Sequence, residues 1–195
     1  MFDYEVAELD AVTAAAAAAE SARLLATVEC RQLELAAQWA DLHATVPEGR
    51  GQGPGRERLV RLGGEGTPEV AEFAVAELGP LLGTSSAGGR YLVADALDVR
   101  HRLPRLWVRV RAGQVRGWQA RRVAAATRVL TVEQAGQVDA AVTGYLGVLP
   151  WTRFAALLEA KVVEADPAGA DLAAREAEAA RFVRAGRSNA RGLRL

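Results

Sequence analysis

The sequence predicts an all-α protein in which a long N-terminal helix precedes a bundle of about six shorter helices. Alanine and arginine, which favour helices, are abundant, and the aromatic and β-branched clusters typical of strands are scarce. Residues 3–46 contain no glycine or proline, which indicates one uninterrupted helix. Beyond residue 66, glycines, prolines and capping residues divide the chain into segments of ordinary helical length. A chain of 195 residues is long enough to bury one good core.

The N-terminal helix, expected over residues 1–46, carries an apolar seam at alternating steps of three and four, the spacing by which helices pair in coiled coils. The seam consists of Leu25, Val28, Leu35, Trp39, Leu42 and Val46, and Gln32 interrupts it. A helix of this length would extend about 65 Å, which exceeds the width of a small domain. It therefore either lies across its own domain or pairs with a second copy, and the sequence leaves both alternatives open.

The domain organisation follows from composition. Residues 47–66 contain seven glycines, two prolines and four arginines, which predicts a linker, and Leu59, Val60 and Leu62 could dock from it as a short turn. An α-helical domain is expected over residues 67–185. Residues 186–195 form a basic tail.

The start of that domain offers two interpretations. Residues 67–69 (Thr-Pro-Glu) have the composition of a helix start, so we expect a helix over 68–82 and a second over 85–100. Two short helices joined by a tight turn predict either an αα-hairpin or a DNA-reading helix-turn-helix. Pro80 and the pair Gly88-Gly89 fit the helix-turn-helix poorly, because they weaken the hydrogen-bond ladder and the packing positions.

The rest of the chain predicts further helices, each with its own boundary signal. Proline starts two of them, glycine ends one, and Thr131 to Gln134 has the spacing of a capping box. The expected helices cover residues 104–112, 117–129, 132–148, 151–165 and 172–185.

Charge is distributed unevenly along the chain. The formal net charge is zero, yet the segment from Val99 to Val132 holds nine arginines and no acid. Such a block is suited to phosphate contacts, and Trp118 could pack beneath the arginines or stack on an unpaired base. The candidate nucleic-acid-binding residues are Arg105, Arg109, Arg111, Arg116, Arg121, Arg122 and Arg128.

A second interpretation of the same block is internal pairing. The first 46 residues carry eight acids against two arginines, and these acids could neutralise part of the block. Glu69, Glu72 and Glu77 could neutralise more of it. DNA and a second copy of the chain are thus both candidate partners.

The sequence offers no constellation for catalysis. Cys30 is the single cysteine, and His43 and His101 lie in different elements, so no cofactor and no metal site are expected. The glycines of residues 49–53 follow no strand and do not make a phosphate loop. No small-molecule substrate is evident. The N-terminus lacks the features of a secretory signal, and we expect a cytoplasmic protein without a membrane partner.

Several short runs of residues in this chain occur together in a known family. They are Gly64-Glu65-Gly66-Thr67-Pro68, Glu72-Phe73, Glu77-Leu78, Leu82-Gly83-Thr84-Ser85, Asp95-Ala96-Leu97, Arg102-Leu103-Pro104, Trp107, Gly113, Trp118-Gln119-Ala120-Arg121 and Thr127, followed by Val138-Asp139 and Asp166-Pro167. In these runs the chain resembles the actinobacterial "thirteen-E-twelve" repeat proteins, grouped as domain of unknown function 222.

That resemblance implies a particular kind of function. Family members commonly continue into a C-terminal HNH nuclease, whose clustered histidines hold a divalent metal, and this chain lacks such a cluster. The resemblance therefore implies a non-catalytic helical module for interaction or oligomerisation. The alternative is a DNA-binding accessory domain that positions an HNH nuclease absent from this chain.

Overall fold

The structure, a computed structural model, describes residues 5–46 and 56–179. The helices of this part are α1 (Ala11–Leu42), α2 (Glu72–Leu81), α3 (Ser86–Arg102), α4 (Pro104–Arg111), α5 (Gly117–Thr127), α6 (Val132–Val142), α7 (Trp151–Ala165) and α8 (Pro167–Ala179). The two short strands are β1 (Leu59–Arg61) and β2 (Glu69–Ala71). The all-α prediction, with a long N-terminal helix and shorter ones after it, is confirmed.

Helix α1 is shorter than predicted at both ends. Asp10 caps it, because its carboxylate accepts the backbone N–H of Thr13 at 2.8 Å, and an extended Leu9 separates this cap from a short 3-10 helix over Val6–Glu8. The cap sets the start of the helix at Ala11, later than predicted. At 32 residues the helix is about 48 Å long.

Only the C-terminal half of α1 is buried in the bundle. Its buried residues are Cys30, Leu33, Ala36, Ala37 and Ala40. They pack with the bundle's other large core side chains, which include Leu97, Leu103, Leu106 and Phe154. The half of α1 before Cys30 contributes no buried side chain, so this helix extends beyond the core that it helps to form.

The predicted helix start at residues 67–69 is wrong. Glu69–Ala71 is instead a strand that pairs antiparallel with Leu59–Arg61, and α2 begins at Glu72. The hydroxyl of Thr67 donates to the carbonyl of Gly64 at 2.8 Å, which closes a turn instead of capping a helix. The predicted linker therefore contains a strand where a docked turn was expected. Its positions 47–55 lie outside the described residues.

Helices α2 and α3 approach each other closely through two glycines. A Cβ atom on Gly89 would lie 2.4 Å from the backbone nitrogen of Gly79, far inside van der Waals contact. Pro80 is accommodated in the last turn of α2, and Gly83 reverses the chain with a φ of 69°. Gly88-Gly89, which sequence reasoning counted against helix packing, thus includes a residue that permits it.

The other boundaries agree with the sequence in most places. The capping box of α6 is confirmed, since the side chains of Thr131 and Gln134 each bond the other's backbone N–H. Helix α6 ends at Val142, earlier than predicted, and a 3-10 turn over Thr143–Tyr145 follows. The described residues up to Ala165 form one compact unit, and α8 belongs to another.

Helix α8 begins at Pro167, earlier than the predicted start at Leu172. Proline is favoured in a first turn, and the carboxylate of Asp166 accepts the N–H of Gly169 at 3.0 Å. The predicted end of this helix at Ala185 and the basic tail over residues 186–195 lie outside the described residues.

Candidate functional site

Two aspartates of α3 lie at the centre of a charged cluster inside the bundle. We call Asp95, Asp98, Arg102, Arg121 and Arg128 the aspartate–arginine network. The two carboxylates are three residues apart on one helix, and they bind guanidinium groups from α3, from α5 and from the residue that follows α5. The network therefore joins two helices through ion pairs.

Asp98 is one of the two fully enclosed members of this network. Its side chain is fully buried. One carboxylate oxygen accepts the backbone N–H of Gly64 at 2.7 Å and a guanidinium N–H of Arg102 at 3.2 Å. The other oxygen accepts Nε–H of Arg128 at 2.6 Å. One carboxylate thus fixes the β-hairpin segment, the end of α3 and the residue after α5.

Arg102 is equally buried, and its guanidinium group binds backbone carbonyls. Its Nη2 donates to the backbone carbonyls of Thr127 at 3.1 Å and Leu130 at 2.5 Å. Thr127 is the last residue of α5, and Leu130 lies in the segment between α5 and α6. Within the described residues its Nε has no hydrogen-bond partner. Arg102 therefore connects the end of α3 to the end of α5 and to the segment after it.

A third aspartate, Asp139 of α6, caps α4. It is fully buried, and its carboxylate accepts the backbone N–H groups of Arg105 at 2.7 Å and Leu106 at 3.1 Å. The hydroxyl of Thr143 donates to the same carboxylate at 2.7 Å. Because Leu103, at the N-cap of α4, gives no side-chain cap, Asp139 supplies from another helix what the local sequence lacks.

Arg109 of α4 has a comparable role at the segment that follows α6. Its Nη1 donates to the backbone carbonyls of Thr143 at 2.6 Å and Leu146 at 2.9 Å. Nη2 reaches the carbonyl of Gln114 at 3.4 Å. This guanidinium is therefore engaged with main chain and not presented to a ligand.

The acidic N-terminal helix neutralises the basic block at two points. Glu29 binds Arg116 through two hydrogen bonds of 3.0 and 2.9 Å, and it accepts the N–H of Gly117 at the start of α5 at 2.9 Å. Asp41 binds Arg100 at 2.5 Å. Within the described residues, the arginine-rich block thus forms ion pairs with the first helix at these two points.

The other proposed internal partners of the block behave differently. Glu72 pairs with Arg58 of the hairpin at 2.8 Å, and this arginine lies outside the block. Across residues 5–46 and 56–179, Glu69 and Glu77 form no ion pair with the block. Its main internal acids are instead Asp95, Asp98 and Glu29.

Replacing Glu29 by glutamine should change how stability depends on pH. The hydrogen bond from Arg116 holds the pKa of Glu29 below its ordinary value of 4.5. A carboxylate with a lowered pKa stabilises the fold above its ordinary pKa, and this contribution is lost as the pH falls through the lowered value. We expect Glu29→Gln to cost about 1 kcal/mol at neutral pH and to reduce the loss of stability upon acidification.

Urea unfolding at several pH values between neutral and acid measures this effect. Glu34→Gln is the matched control, because Glu34 lies on the same helix and, among the described residues, forms its ion pair with Arg31, whose side chain is 65% exposed. Equal pH profiles for Glu29→Gln and the unmodified chain would contradict the role of Glu29.

Most of the predicted nucleic-acid-binding arginines are engaged inside the protein. Five of the seven donate to main chain or carboxylates, namely Arg105, Arg109, Arg116, Arg121 and Arg128. The side chains of Arg111 and Arg122 are exposed and make no hydrogen bond or ion pair in the part of the chain that the structure describes. Most arginines of the acid-free block, the segment from Val99 to Val132, therefore hold parts of the fold together.

The predicted seam of α1 lies mostly on the outside. Leu25, Val28, Leu35 and Leu42 are 48%, 56%, 52% and 69% exposed. Trp39 instead docks on its own bundle, where Nε1 donates to the carbonyl of Ala74 at 2.9 Å.

Val46 is half-buried. Of the predicted seam, Trp39 packs on its own domain, as one of the two alternatives expected. The main packing of α1 is made by a different face of the helix. The four exposed residues form a line along α1 and, among the described residues, are not part of the buried core.

Helix α1 also meets the length and composition of a membrane span, since its most apolar stretch of eighteen residues has a mean hydropathy of 1.2. It is the one helix in the described part that does so. Helices of soluble proteins can meet the same criteria. The expectation of no membrane partner stays a prediction.

Residue types suited to metals or nucleophilic chemistry are dispersed. In residues 5–46 and 56–179 no group of three histidine, cysteine, aspartate or glutamate side chains could hold a metal ion. The thiol of Cys30 donates to the carbonyl of Val115 at 3.1 Å, and burial raises its pKa. His43 contacts the carbonyl of Trp39 at 2.8 Å, and His101 is exposed in the last turn of α3.

No protein-family model, no curated protein and no solved structure matches this chain.

Proposed function

We propose that this chain is a non-catalytic helical module that self-associates through the outer face of α1. The observation that carries the proposal is that α1 has two apolar faces. Ala37 is buried and Val28 is 56% exposed, and nine residues at 3.6 residues per turn place them half a turn apart. A helix that needs only its own bundle has one apolar stripe, so the second stripe favours a partner.

The spacing of the outer face favours one kind of partner. Val28, Leu35 and Leu42 follow one another at seven residues, the repeat of a coiled-coil seam. Such a seam is matched by another helix with the same repeat. In the described part of the chain, α1 presents six exposed large hydrophobic side chains, and every other helix presents at most two. A second copy of α1 is therefore the partner that fits, through an interface in which both copies use the same surface.

The alternative, a DNA-binding accessory domain, receives less support. Five of its seven candidate arginines would have to leave internal hydrogen bonds to contact phosphates. The resemblance to the thirteen-E-twelve proteins suits both alternatives. Under the proposal, this chain would bring two copies of a parent protein together.

The charge substitutions Val28→Glu and Leu35→Glu, combined in one chain, test the proposal. We expect the unmodified protein to form a concentration-dependent dimer and the double variant to be a monomer, because a glutamate in each heptad position buries an unpaired charge. Sedimentation velocity gives the mass, and circular dichroism establishes that the helical content is kept.

The matched control is Val108→Glu on α4, where the replaced valine is 67% exposed but lies off the seam. This variant should remain a dimer. A monomeric unmodified protein at all accessible concentrations would overturn the proposal. Monomeric protein that instead pellets with phospholipid vesicles, in a manner lost in the double variant, would overturn it in favour of a membrane surface.

A further inference from the structure

A groove between α3 and α5 is unrelated to the outer face of α1. It has a volume of about 420 Å³, which is within the range of small-molecule sites. It is lined by Tyr91, Asp95, Trp118, Arg121, Arg122, Ala125 and Arg128. We call this the α3–α5 groove. Ala125 contributes only a methyl group between longer neighbours, which leaves the space open.

The groove carries an excess of positive charge. In the aspartate–arginine network beneath it, two carboxylates face three guanidinium groups, which leaves one positive charge in excess. Arg122 adds another guanidinium, which is exposed and makes no hydrogen bond or ion pair in the described residues. Its donors are free for an anion, and a guanidinium binds phosphate or carboxylate through paired N–H groups.

Two exposed aromatic side chains line the same groove. Tyr91 is 62% exposed and Trp118 is 39% exposed. Trp118 packs edge-on against Trp151, whose ring centroid is 4.6 Å away, and Trp151 stacks on Phe154 at 5.6 Å. These ring contacts support the indole from within the protein, and a planar ring gains from stacking on such a surface.

We propose that the α3–α5 groove binds a nucleotide unit, with its base against Tyr91 and Trp118 and its phosphate on Arg122. The combination carries the inference, because a planar ring and an anion on one ligand satisfy both features. The unit comes either from a free nucleotide or from an unpaired base of a single strand. A base inside a duplex is already stacked and cannot enter.

Titration of the full-length chain with adenosine monophosphate and with a short single-stranded oligonucleotide tests this proposal. Adenosine and inorganic phosphate serve as half-ligands, and a duplex of the same sequence is included. We expect Arg122→Gln and Tyr91→Ala each to weaken binding about tenfold. Arg122→Gln should also lower the salt dependence by about one phosphate contact. Both side chains are exposed, so neither change should disturb the fold.

Arg111→Gln is the matched control, because Arg111 is an exposed arginine on α4, away from the groove, and makes no hydrogen bond or ion pair within the described residues. Tight binding of the monophosphate would assign a free nucleotide, and binding of the oligonucleotide alone would assign a single strand. The proposal is overturned if neither probe binds. It is also overturned if Arg111→Gln weakens binding as much as Arg122→Gln, or if the duplex binds as well as the single strand.

Discussion

Replacing Asp98 by alanine is expected to destabilise the protein by about 3–5 kcal/mol, because it leaves buried positive charge without its counter-ion. Arg102 has no exposed side-chain surface and would keep only its carbonyl partners. The backbone N–H of Gly64 would lose its acceptor, and Arg128 would keep only Asp95. Whole domains are stable by about 5–15 kcal/mol, so this single change would remove a large fraction of the free energy of unfolding.

Urea unfolding followed by circular dichroism measures the loss. The matched control is Asp41→Asn, since Asp41 and Arg100 form an ion pair whose side chains are 35% and 33% exposed. Partly exposed pairs contribute about 1 kcal/mol or less, and the control should therefore cost little. Combining Asp98→Ala with Arg102→Met should cost less than the sum of the two single changes, because the second removes the stranded charge. Equal losses for Asp98→Ala and Asp41→Asn would contradict the assigned role.

The helices were largely predictable because their signals are local. Pro104, Gly113 and the Thr131 capping box each act within one turn of the chain, and the structure has boundaries at all three. The error at residues 67–69 has a physical cause. Thr67 and Pro68 have the composition of a helix start, but strand pairing with residues 59–61 is a non-local contact that local propensity does not contain.

The candidate site was harder to predict, because its determinants are partnerships between distant residues. Arg116 and Arg128 look alike in sequence, yet one binds Glu29, 87 residues away, and the other binds Asp98, 30 residues away. A signal was nevertheless present. Asp95 and Asp98 interrupt an otherwise apolar stretch of α3, and aspartates on a core-facing helix must find cations or N–H donors. Those donors are the arginines of the acid-free block.

The seam of α1 illustrates a different difficulty. The alternating pattern was visible in the sequence, but several residues of α1 outside the seam are alanines, which fit either a core or a surface. The structure places Cys30 and Leu33 in the core and leaves Val28 outside. Periodicity finds apolar faces and does not determine which of two faces meets the bundle.

Replacing Gly89 by alanine is expected to destabilise the fold by about 1–3 kcal/mol, the cost of forcing extra volume into a packed interior. The new Cβ would lie 2.4 Å from the nitrogen and 2.7 Å from the Cα of Gly79. Both atoms belong to the backbone of α2, so relief requires the two helices to separate. In an exposed helix the same substitution would stabilise by about 1 kcal/mol, because alanine is the better helix former.

Gly136 provides that comparison within the same chain. It lies in the interior of α6, and a Cβ added there would meet nothing within 4 Å. Gly136→Ala should therefore raise the urea midpoint, while Gly89→Ala should lower it. Because the two variants differ only in position, helix propensity cancels between them and the difference measures the close approach of α2 and α3. Shifts of the same sign and size would show that these helices do not rely on the glycine contact.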